Sequence, residues 1–350
     1  MSKINVRSPY FVNLSTTNLI SAQIEIDIYF GEANTDWQSA PQYTLVSTAV
    51  NGKVNFEIAE LIKDYITALF DGSFPTNPVT DSEATTINVD YKTTETLSSG
   101  SPVATEVLGL RAFYGYGYFE DGVNPSFGNI FSLQSNNTIL KNKNATVTIP
   151  VDNTIATSLV WKYQGSSVLS VAITAQTDIE DQITYVTNTG NFNVDQAEIG
   201  TGQKSVTINI DSYEKCKYTP IKLIFINKYG AYQEIWMFAN SILSMATNEE
   251  RYKSNILTNG TYNTYNPQIK LLTKNANQTL KLNSDYYPES YNEVFRQLFL
   301  SEKVWIDYEG QTLGVNIENK QITYKTSLTD SLINYTIDVS FAFDTINNIR

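Results

Sequence analysis

Histidine is absent from the 350-residue chain, and cysteine occurs once, as Cys216. Without histidine the chain cannot build the Ser-His or Cys-His dyads of hydrolases, and it lacks the commonest protein ligand for zinc and haem. A single cysteine cannot form an intrachain disulfide, and a lone thiol is usually an inert buried side chain. We therefore predict no disulfide, no metal site and no cofactor.

The chain also lacks a cationic cluster and a long apolar run. Its 24 lysines and arginines are scattered among 36 carboxylates, and the formal net charge is −12. Binding to nucleic acid requires a cationic surface that releases counterions from phosphates, so we expect no sequence-specific nucleic-acid partner. No window approaches the roughly twenty apolar residues of a membrane-spanning helix, and the N-terminus does not have the pattern of a signal peptide. We expect synthesis in a cytoplasm and no membrane partner.

The chain has few charged residues and many uncharged polar and aromatic residues. Charged residues make up only 17% of the chain, against about a quarter in ordinary soluble domains, and there are 23 tyrosines and 16 phenylalanines. β-Branched and aromatic side chains with Asn, Thr and Ser between them favour pleated, half-buried surfaces. The composition predicts a mainly β, multidomain protein built from antiparallel β-sandwich or barrel-like segments.

The clearest local signal is a β-hairpin over residues 221–238. Two apolar runs flank a four-residue connection that begins with Asn227 and ends with Gly230. Asparagine bonds locally to the backbone and glycine tolerates positive φ, which is what a tight turn requires. Both runs are apolar on both faces, so we expect this hairpin inside a larger β-structure.

Two stretches have the spacing of amphipathic helices, at about 56–70 and 288–301. Asp71 and Gly72 would end the first helix, and Pro288 suits the first turn of the second. Between strands, residues 73–103 are rich in Thr, Ser, Asp and Pro, which predicts a long polar arm that could reach a neighbouring subunit. Within it, residues 87–91 have a pattern that could form a strand on docking. The predicted organisation has three parts: an N-terminal β-rich domain with one helix and the arm (1–143), a β-sandwich-like domain (144–245), and a C-terminal β-rich domain with one helix (246–350).

Carboxylates that could act as an acid/base pair occur at Glu25 and Asp27. They alternate with three isoleucines that we expect to face the core: Ile24, Ile26 and Ile28. Glu25 and Asp27 would then lie on the solvated face of the strand, where charged residues need no catalytic explanation.

Two further stretches resemble functional motifs. Asp178, Glu180 and Asp181 could bind Ca²⁺ weakly, but they lack the spacing of an EF-hand loop. Glycines alternate with tyrosines over 114–118, but a phosphate-binding loop has no bulky aromatic residues between its glycines. We interpret that stretch as a strand whose glycines permit close backbone approach.

Several short motifs carry a family resemblance: RSPYFV (7–12), GYGYFEDG (115–122), INKYGAY (226–232) with WMF (236–238), and YKT (324–326) with LINYT (332–336). They are similar to virion structural proteins of tailed bacteriophages that infect Bacteroidetes, including crAss-like phages. The resemblance implies a neck, tail or baseplate component that assembles into a ring. It implies no active-site residue.

We therefore expect a non-enzymatic, homo-oligomeric ring protein of a phage virion, assembled in the bacterial host cytoplasm. Its partners would be further copies of itself and neighbouring virion proteins. One alternative is a phage receptor- or carbohydrate-binding protein, because sugar recognition uses exposed aromatic and amide side chains. Another is a glycoside hydrolase on a β-scaffold, whose two carboxylates would need no histidine. We predict no catalytic, cofactor-binding or metal-binding residue.

Overall fold

The computed structural model is mainly β, with 54% of the described residues in strands and 7% in helices, as predicted. It describes the chain except for residues 1–2, 32, 67–69, 71, 73, 75–78, 81–84, 129, 156, 176–182, 189–192, 202–203, 216, 324–331 and 347–350. The chain forms two compact units. The first comprises Met1–Glu214, Ile224–Ile235 and Glu293–Glu302, and the second comprises Lys215–Leu223, Trp236–Asn292 and Lys303–Arg350.

These units do not coincide with the three predicted segments 1–143, 144–245 and 246–350. The first two segments fall largely in one unit, and most of the second helix belongs to that unit as well. Independent folding of any of the three segments stays a prediction.

Fifteen strands lie within the described part of the first 214 residues. They are β1 (Lys3–Asn5), β2 (Phe11–Leu14), β3 (Leu19–Tyr29), β4 (Tyr43–Thr48), β5 (Val54–Glu57), β6 (Val79–Thr80), β7 (Thr86–Leu97), β8 (Val103–Phe113), β9 (Thr138–Lys141), β10 (Val147–Asp152), β11 (Thr157–Tyr163), β12 (Ser166–Ile173), β13 (Ile183–Asn188), β14 (Gln196–Thr201) and β15 (Lys204–Ser212).

The remaining strands follow in chain order. They are β16 (Ile221–Ile226), β17 (Tyr232–Met237), β18 (Ile242–Lys253), β19 (Ile269–Asn283), β20 (Tyr287–Pro288), β21 (Val304–Tyr308), β22 (Gln311–Ile317), β23 (Leu332–Ile333) and β24 (Thr336–Phe341). The helices are α1 (Ala59–Lys63) and α2 (Asn292–Leu300), with single 3-10 turns at Phe119–Asp121 and Glu289–Tyr291. No helix among the described residues is long and apolar enough to cross a membrane.

The prediction of a polar arm over 73–103 needs correction. Thr86–Leu97 form the long strand β7, which is the central strand of a five-stranded sheet of order β1-β8-β7-β3-β4. Its Ile87 and Val89 are fully buried, and Val89 pairs with Ile28 of β3 and Leu110 of β8. The polar composition misled the prediction because the threonines of β7 lie between two neighbouring strands, where β-branched residues pack well. Within 73–85, residues 73, 75–78 and 81–84 lie outside the described part of the chain.

The first helix is shorter than predicted. Helix α1 begins at Ala59 rather than at residue 56, because Val54–Glu57 form strand β5 and pair with β2. The Glu57 carboxylate accepts a hydrogen bond of 2.9 Å from the Ala59 amide, which satisfies one of the unpaired donors at the helix start. The second helix agrees with the prediction, and its expected apolar face is buried: Tyr291, Val294, Phe295 and Leu298.

A β-sandwich forms the middle of the first unit, as predicted. A three-stranded sheet of order β10-β13-β6 and a five-stranded sheet of order β12-β11-β14-β15-β9 share one hydrophobic core. That core includes Ile149 and Val186 from the first sheet and Trp161, Ile199 and Ile208 from the second. Trp161 is fully buried in this core.

The predicted hairpin at 221–238 is confirmed as β16 and β17. It belongs to a seven-stranded sheet of order β17-β16-β21-β22-β24-β19-β18. Asn227 organises the turn, because its Oδ1 accepts hydrogen bonds from the amides of Tyr229 (2.9 Å) and Ala231 (3.2 Å). Its Nδ2 donates to the Leu133 carbonyl at 2.6 Å and to Gln233 Oε1 at 3.0 Å. Both polar atoms of the side chain thus have hydrogen-bond partners. Because Asn227 is fully buried, water could not replace these partners.

We expect Asn227→Ala to lower the free energy of unfolding by about 2–3 kcal/mol, because it leaves buried amides and a buried carbonyl without partners. Asn142→Ala is the matched control. Its amide oxygen also accepts a bond from the amide two residues later, at 3.3 Å, but in an exposed turn. The control should cost less than about 0.5 kcal/mol. Urea unfolding of both variants checks this, and equal losses would contradict it.

Candidate functional site

The carboxylate of Asp27 is buried, which corrects the prediction that it lies on a wet strand face. The expected core isoleucines of β3 are buried, and Glu25 is partly exposed, but Asp27 is only 6% exposed and lies opposite Asp90 of β7. Burial raises the pKa of Asp27, and the nearby charge of Asp90 raises it further. A hydrogen bond with Gln42 lowers the pKa but does not cancel these effects. Two carboxylates in adjacent strands are the arrangement that a hydrolase hypothesis would need.

Both oxygens of Asp90, however, are bonded to the protein. Oδ1 accepts a 2.7 Å bond from the Gly109 amide, and Oδ2 accepts a 2.9 Å bond from Asn34 Nδ2. Gly109 has a φ of +67° and lies beside an irregularity in the β7–β8 pairing. Asp90 is fully buried, so no substrate reaches it in this conformation. Its carboxylate therefore holds the irregular part of the β7–β8 pairing and the loop after β3 in place, which is a structural role.

The other predicted candidates lie elsewhere. Asp178, Glu180, Asp181 and Cys216 fall outside the described residues. Within the described part of the chain, no group of three or more carboxylates or cysteines has the geometry to hold a metal ion.

Glycines 115 and 117 permit close packing, as expected, although strand β8 ends at Phe113 and the segment beyond it is not a strand. A Cβ at Gly115 would lie 2.6 Å from the carbonyl oxygen of Lys228, and one at Gly117 would lie 2.4 Å from Pro125 Cβ. The next amide, that of Tyr116, donates a 2.9 Å bond to the same Lys228 carbonyl. The segment therefore lies directly on the backbone of the hairpin turn, where any side chain at position 115 would collide.

Tyrosines of this segment surround the Arg7 guanidinium. The Arg7 Cζ atom lies 4.7 Å from the ring centre of Tyr116 and 5.8 Å from that of Tyr114, within the range of a cation–π interaction. The Arg7 Nε atom lies 3.2 Å from Glu302 Oε1, and Tyr114 donates a 2.5 Å bond to Glu302 Oε2. Burial raises the pKa of Tyr116 to about 12, so this phenol stays protonated at neutral pH.

Glu302 is held in its charged form. Burial by itself would raise its pKa, but the bond from Tyr114 and the charges of Arg7 and Lys63 outweigh it, and the pKa is lowered. A carboxyl with a lowered folded-state pKa contributes stability above its unfolded pKa and loses it as the pH falls through the folded value. This cluster is thus an ion-pair network that favours folding at neutral pH.

A second group of contacts surrounds Tyr118. The Arg296 Cζ atom lies 3.6 Å from the Tyr118 ring centre, and the Lys228 Nζ atom lies 5.0 Å from it. The Tyr118 hydroxyl donates a 2.7 Å bond to Glu293, which also accepts one from Gln297. Each charged group has a protein partner, so the cluster resembles a packed junction more than a catalytic centre.

Three of the motifs that carry the family resemblance meet in this junction. Residues 7–12, 115–122 and 226–232 are far apart in sequence but contact one another through Arg7, Tyr116 and Lys228. The remaining motifs lie elsewhere or cannot be placed: 324–326 falls outside the described residues, and Leu332–Ile333 form β23, which pairs with β20.

A surface cavity of about 770 Å³ is the candidate site for a small ligand in the first unit. Its polar lining includes Gln134, Asn136 and Asn137, with Tyr229 at one side. Sugar binding needs an aromatic ring whose face is open to the ligand. The Tyr229 ring instead packs edge-on against Phe127, with 4.9 Å between ring centres. Both aromatic residues of the lining already have protein partners, since Phe127 and Lys228 contact the Tyr229 ring and Phe131 is buried in the sandwich core.

The most exposed feature is a two-stranded ribbon formed by β18 and β19 (residues 242–283), which sequence reasoning missed. The two strands pair antiparallel over the whole length of β18. Strand β24 pairs only with the end of β19, at 279–283, and β18 is the last strand of its sheet. All 12 residues of β18 are exposed, and the ribbon has no other neighbour among the described strands.

Apolar side chains cover this ribbon. Of the 25 large hydrophobic residues that are exposed in the described part of the chain, ten belong to it. They are Ile242, Leu243, Met245, Tyr252, Leu257, Tyr262, Tyr265, Ile269, Leu271 and Leu272. Because 42 residues carry so much exposed apolar surface beside an unpaired strand edge, the ribbon is the strongest candidate for a protein–protein contact.

No protein-family model matches the chain, and no curated protein matches it significantly.

We expect Asp27→Asn to increase stability at pH 7, because it removes a buried charge opposite Asp90. A carboxyl with a raised folded-state pKa costs the folded state stability when ionised, and this cost disappears as the pH falls through that pKa. The gain should therefore vanish in acid, which urea unfolding at several pH values measures.

Asp90→Asn serves as the matched comparison for that substitution. It should cost about 1–3 kcal/mol at pH 7, because an amide cannot accept both bonds that the carboxylate accepts. Destabilisation by both substitutions at pH 7 would contradict the assignment of different roles to the two carboxylates.

We expect Gly115→Ala to lower the free energy of unfolding by about 1–3 kcal/mol, because the added methyl collides with the Lys228 carbonyl. Gly314→Ala is the control, since its Cβ would lie 3.8 Å from Ala342 Cβ, an ordinary contact. Alanine in a strand is favoured over glycine, so the control should be neutral or stabilising. Thermal unfolding of both variants would refute the close-packing argument if they behaved alike.

Proposed function

We propose that this chain is a non-enzymatic structural protein of a tailed-phage virion, which assembles with copies of itself into a ring of the neck, tail or baseplate. The observation that carries the proposal is the β18–β19 ribbon. It presents an unpaired strand edge and ten exposed large hydrophobic residues, a combination that favours association by strand addition or burial against a neighbour. The motif resemblance supports the assignment to phage virions.

The described candidates for chemistry do not favour an enzyme. Asp90 is buried with both oxygens bonded to the protein, and the charged groups around Arg7 and Tyr118 are paired. An active site needs groups that reach a substrate, whereas these groups hold the fold together. A polysaccharide hydrolase is therefore the weaker hypothesis.

Receptor or carbohydrate binding is also less favoured than assembly. The cavity beside Tyr229 is large enough for a sugar ring, but the ring of Tyr229 is engaged by Phe127. The exposed aromatic residues Tyr252, Tyr262 and Tyr265 belong to the ribbon. They share the ribbon with seven exposed large aliphatic side chains, a composition that suits burial against protein better than stacking on a sugar.

We expect native mass spectrometry of the full chain to reveal a discrete oligomer whose population grows over the micromolar concentration range. Burial of the ribbon would offset the entropy lost on association, and negative-stain electron microscopy should show closed rings. A chain that stays monomeric at every concentration tested would contradict the proposal. The subunit count in a closed ring would give its symmetry.

A further inference from the structure

The ribbon differs in charge from the rest of the chain. Residues 242–283 carry five cations and two carboxylates, a net charge of +3: Arg251, Lys253, Lys270, Lys274, Lys281, Glu249 and Glu250. The whole chain has 24 cations and 36 carboxylates, so the remainder carries 19 and 34, a net charge of −15. The exposed ribbon is thus basic, and the rest of the same chain is strongly acidic.

The register of the ribbon places apolar and charged groups on one face. Side chains alternate between faces along each strand, and the pairing partners lie side by side. One face accordingly carries Leu243, Met245, Glu249, Arg251, Lys253, Ile269, Leu271 and Lys274. Glu249 forms ion pairs with both Arg251 and Lys274 on this face, so its charge is neutralised within the ribbon. The remaining charge of the face is positive.

We propose that this face of the ribbon binds the acidic surface of a second copy of the chain. The apolar side chains would supply the buried area, and the lysines would supply charge complementarity and orientation. The inference rests on the proposed function and deepens it, because it names the segment and the partner through which copies assemble. The partner is a second copy because each copy offers both the basic ribbon and the acidic surface, which is what a head-to-tail ring contact requires.

Two double variants of the full chain test the apolar contribution and the charge contribution separately. Met245→Ser with Leu271→Ser removes exposed apolar groups, and Lys253→Glu with Lys274→Glu reverses charges on the same face. All four side chains are on the ribbon, so the fold should survive, which circular dichroism and the melting temperature check. The charge control is Lys217→Glu with Lys320→Glu, two exposed lysines outside the ribbon with the same change in net charge.

Native mass spectrometry at one protein concentration provides the readout. We expect at least a tenfold weaker association for each ribbon variant, roughly the effect of losing one good interface contact, and wild-type association for the control. Added salt should weaken wild-type association, because exposed charges are screened. Oligomers that persist in both ribbon variants would overturn the ribbon assignment and leave the proposed function standing. A wild-type chain that is always monomeric would overturn both.

Cross-linking identifies the partner surface directly. A mixture of ¹⁴N- and ¹⁵N-labelled chains is treated with a zero-length carbodiimide, which joins lysines to carboxylates. We expect mixed-isotope cross-links from Lys253 or Lys274, the two lysines of this face, to carboxylates outside the ribbon. Mixed links that avoid the ribbon would overturn the inference. So would ribbon-dependent binding of a monomeric chain to duplex DNA or to phosphatidylserine vesicles, which are the other partners that a basic, apolar ribbon could bind.

Discussion

The buried side-chain amide of Asn227 is the interaction on which the organisation of the first unit depends. It closes the turn of the β16–β17 hairpin and at the same time donates to the Leu133 carbonyl and to Gln233. Gln233 in turn accepts a bond from Ser135, whose hydroxyl also lies 2.6 Å from Gln297 of helix α2. Because an unpaired buried polar group costs free energy, this network permits only the arrangement in which all its members are bonded. The glycine–tyrosine segment then packs directly on the turn that Asn227 shapes.

The buried polar groups of this chain and its exposed apolar groups have different roles. Around Arg7, Tyr118 and Asp90, the charged groups have partners within the protein, so these residues stabilise the fold. On the ribbon the opposite holds, since large apolar side chains are exposed to solvent beside an unpaired strand edge. Exposed apolar surface of this kind is a liability for an isolated molecule, and burial in an assembly would remove that liability.

The sequence predicted those features that depend on local periodicity and turn chemistry. The hairpin at 221–238, the sandwich strands and the second helix all follow patterns that span fewer than twenty residues. Reasoning from composition failed at β7, where a threonine-rich stretch was mistaken for an arm although it pairs on both sides. It also missed the ribbon, because residues 242–253 mix apolar and charged side chains without a regular alternation. The prediction that Asp27 is solvated was wrong because both faces of β3 are buried at residues 26–28.

The sequence by itself determined the mainly β class, the lack of a histidine-dependent site and the acidic balance of the chain, because these follow from residue types alone. Only the tertiary structure decided which residues meet. Arg7, Tyr116 and Lys228 are more than a hundred residues apart, and their contact depends on long-range packing around two glycines. The exposure of the ribbon is likewise a tertiary property, since it depends on where the neighbouring strand β24 ends. Local patterns specify strands, but the pairing of strands distant in sequence decides which surfaces are left for a partner.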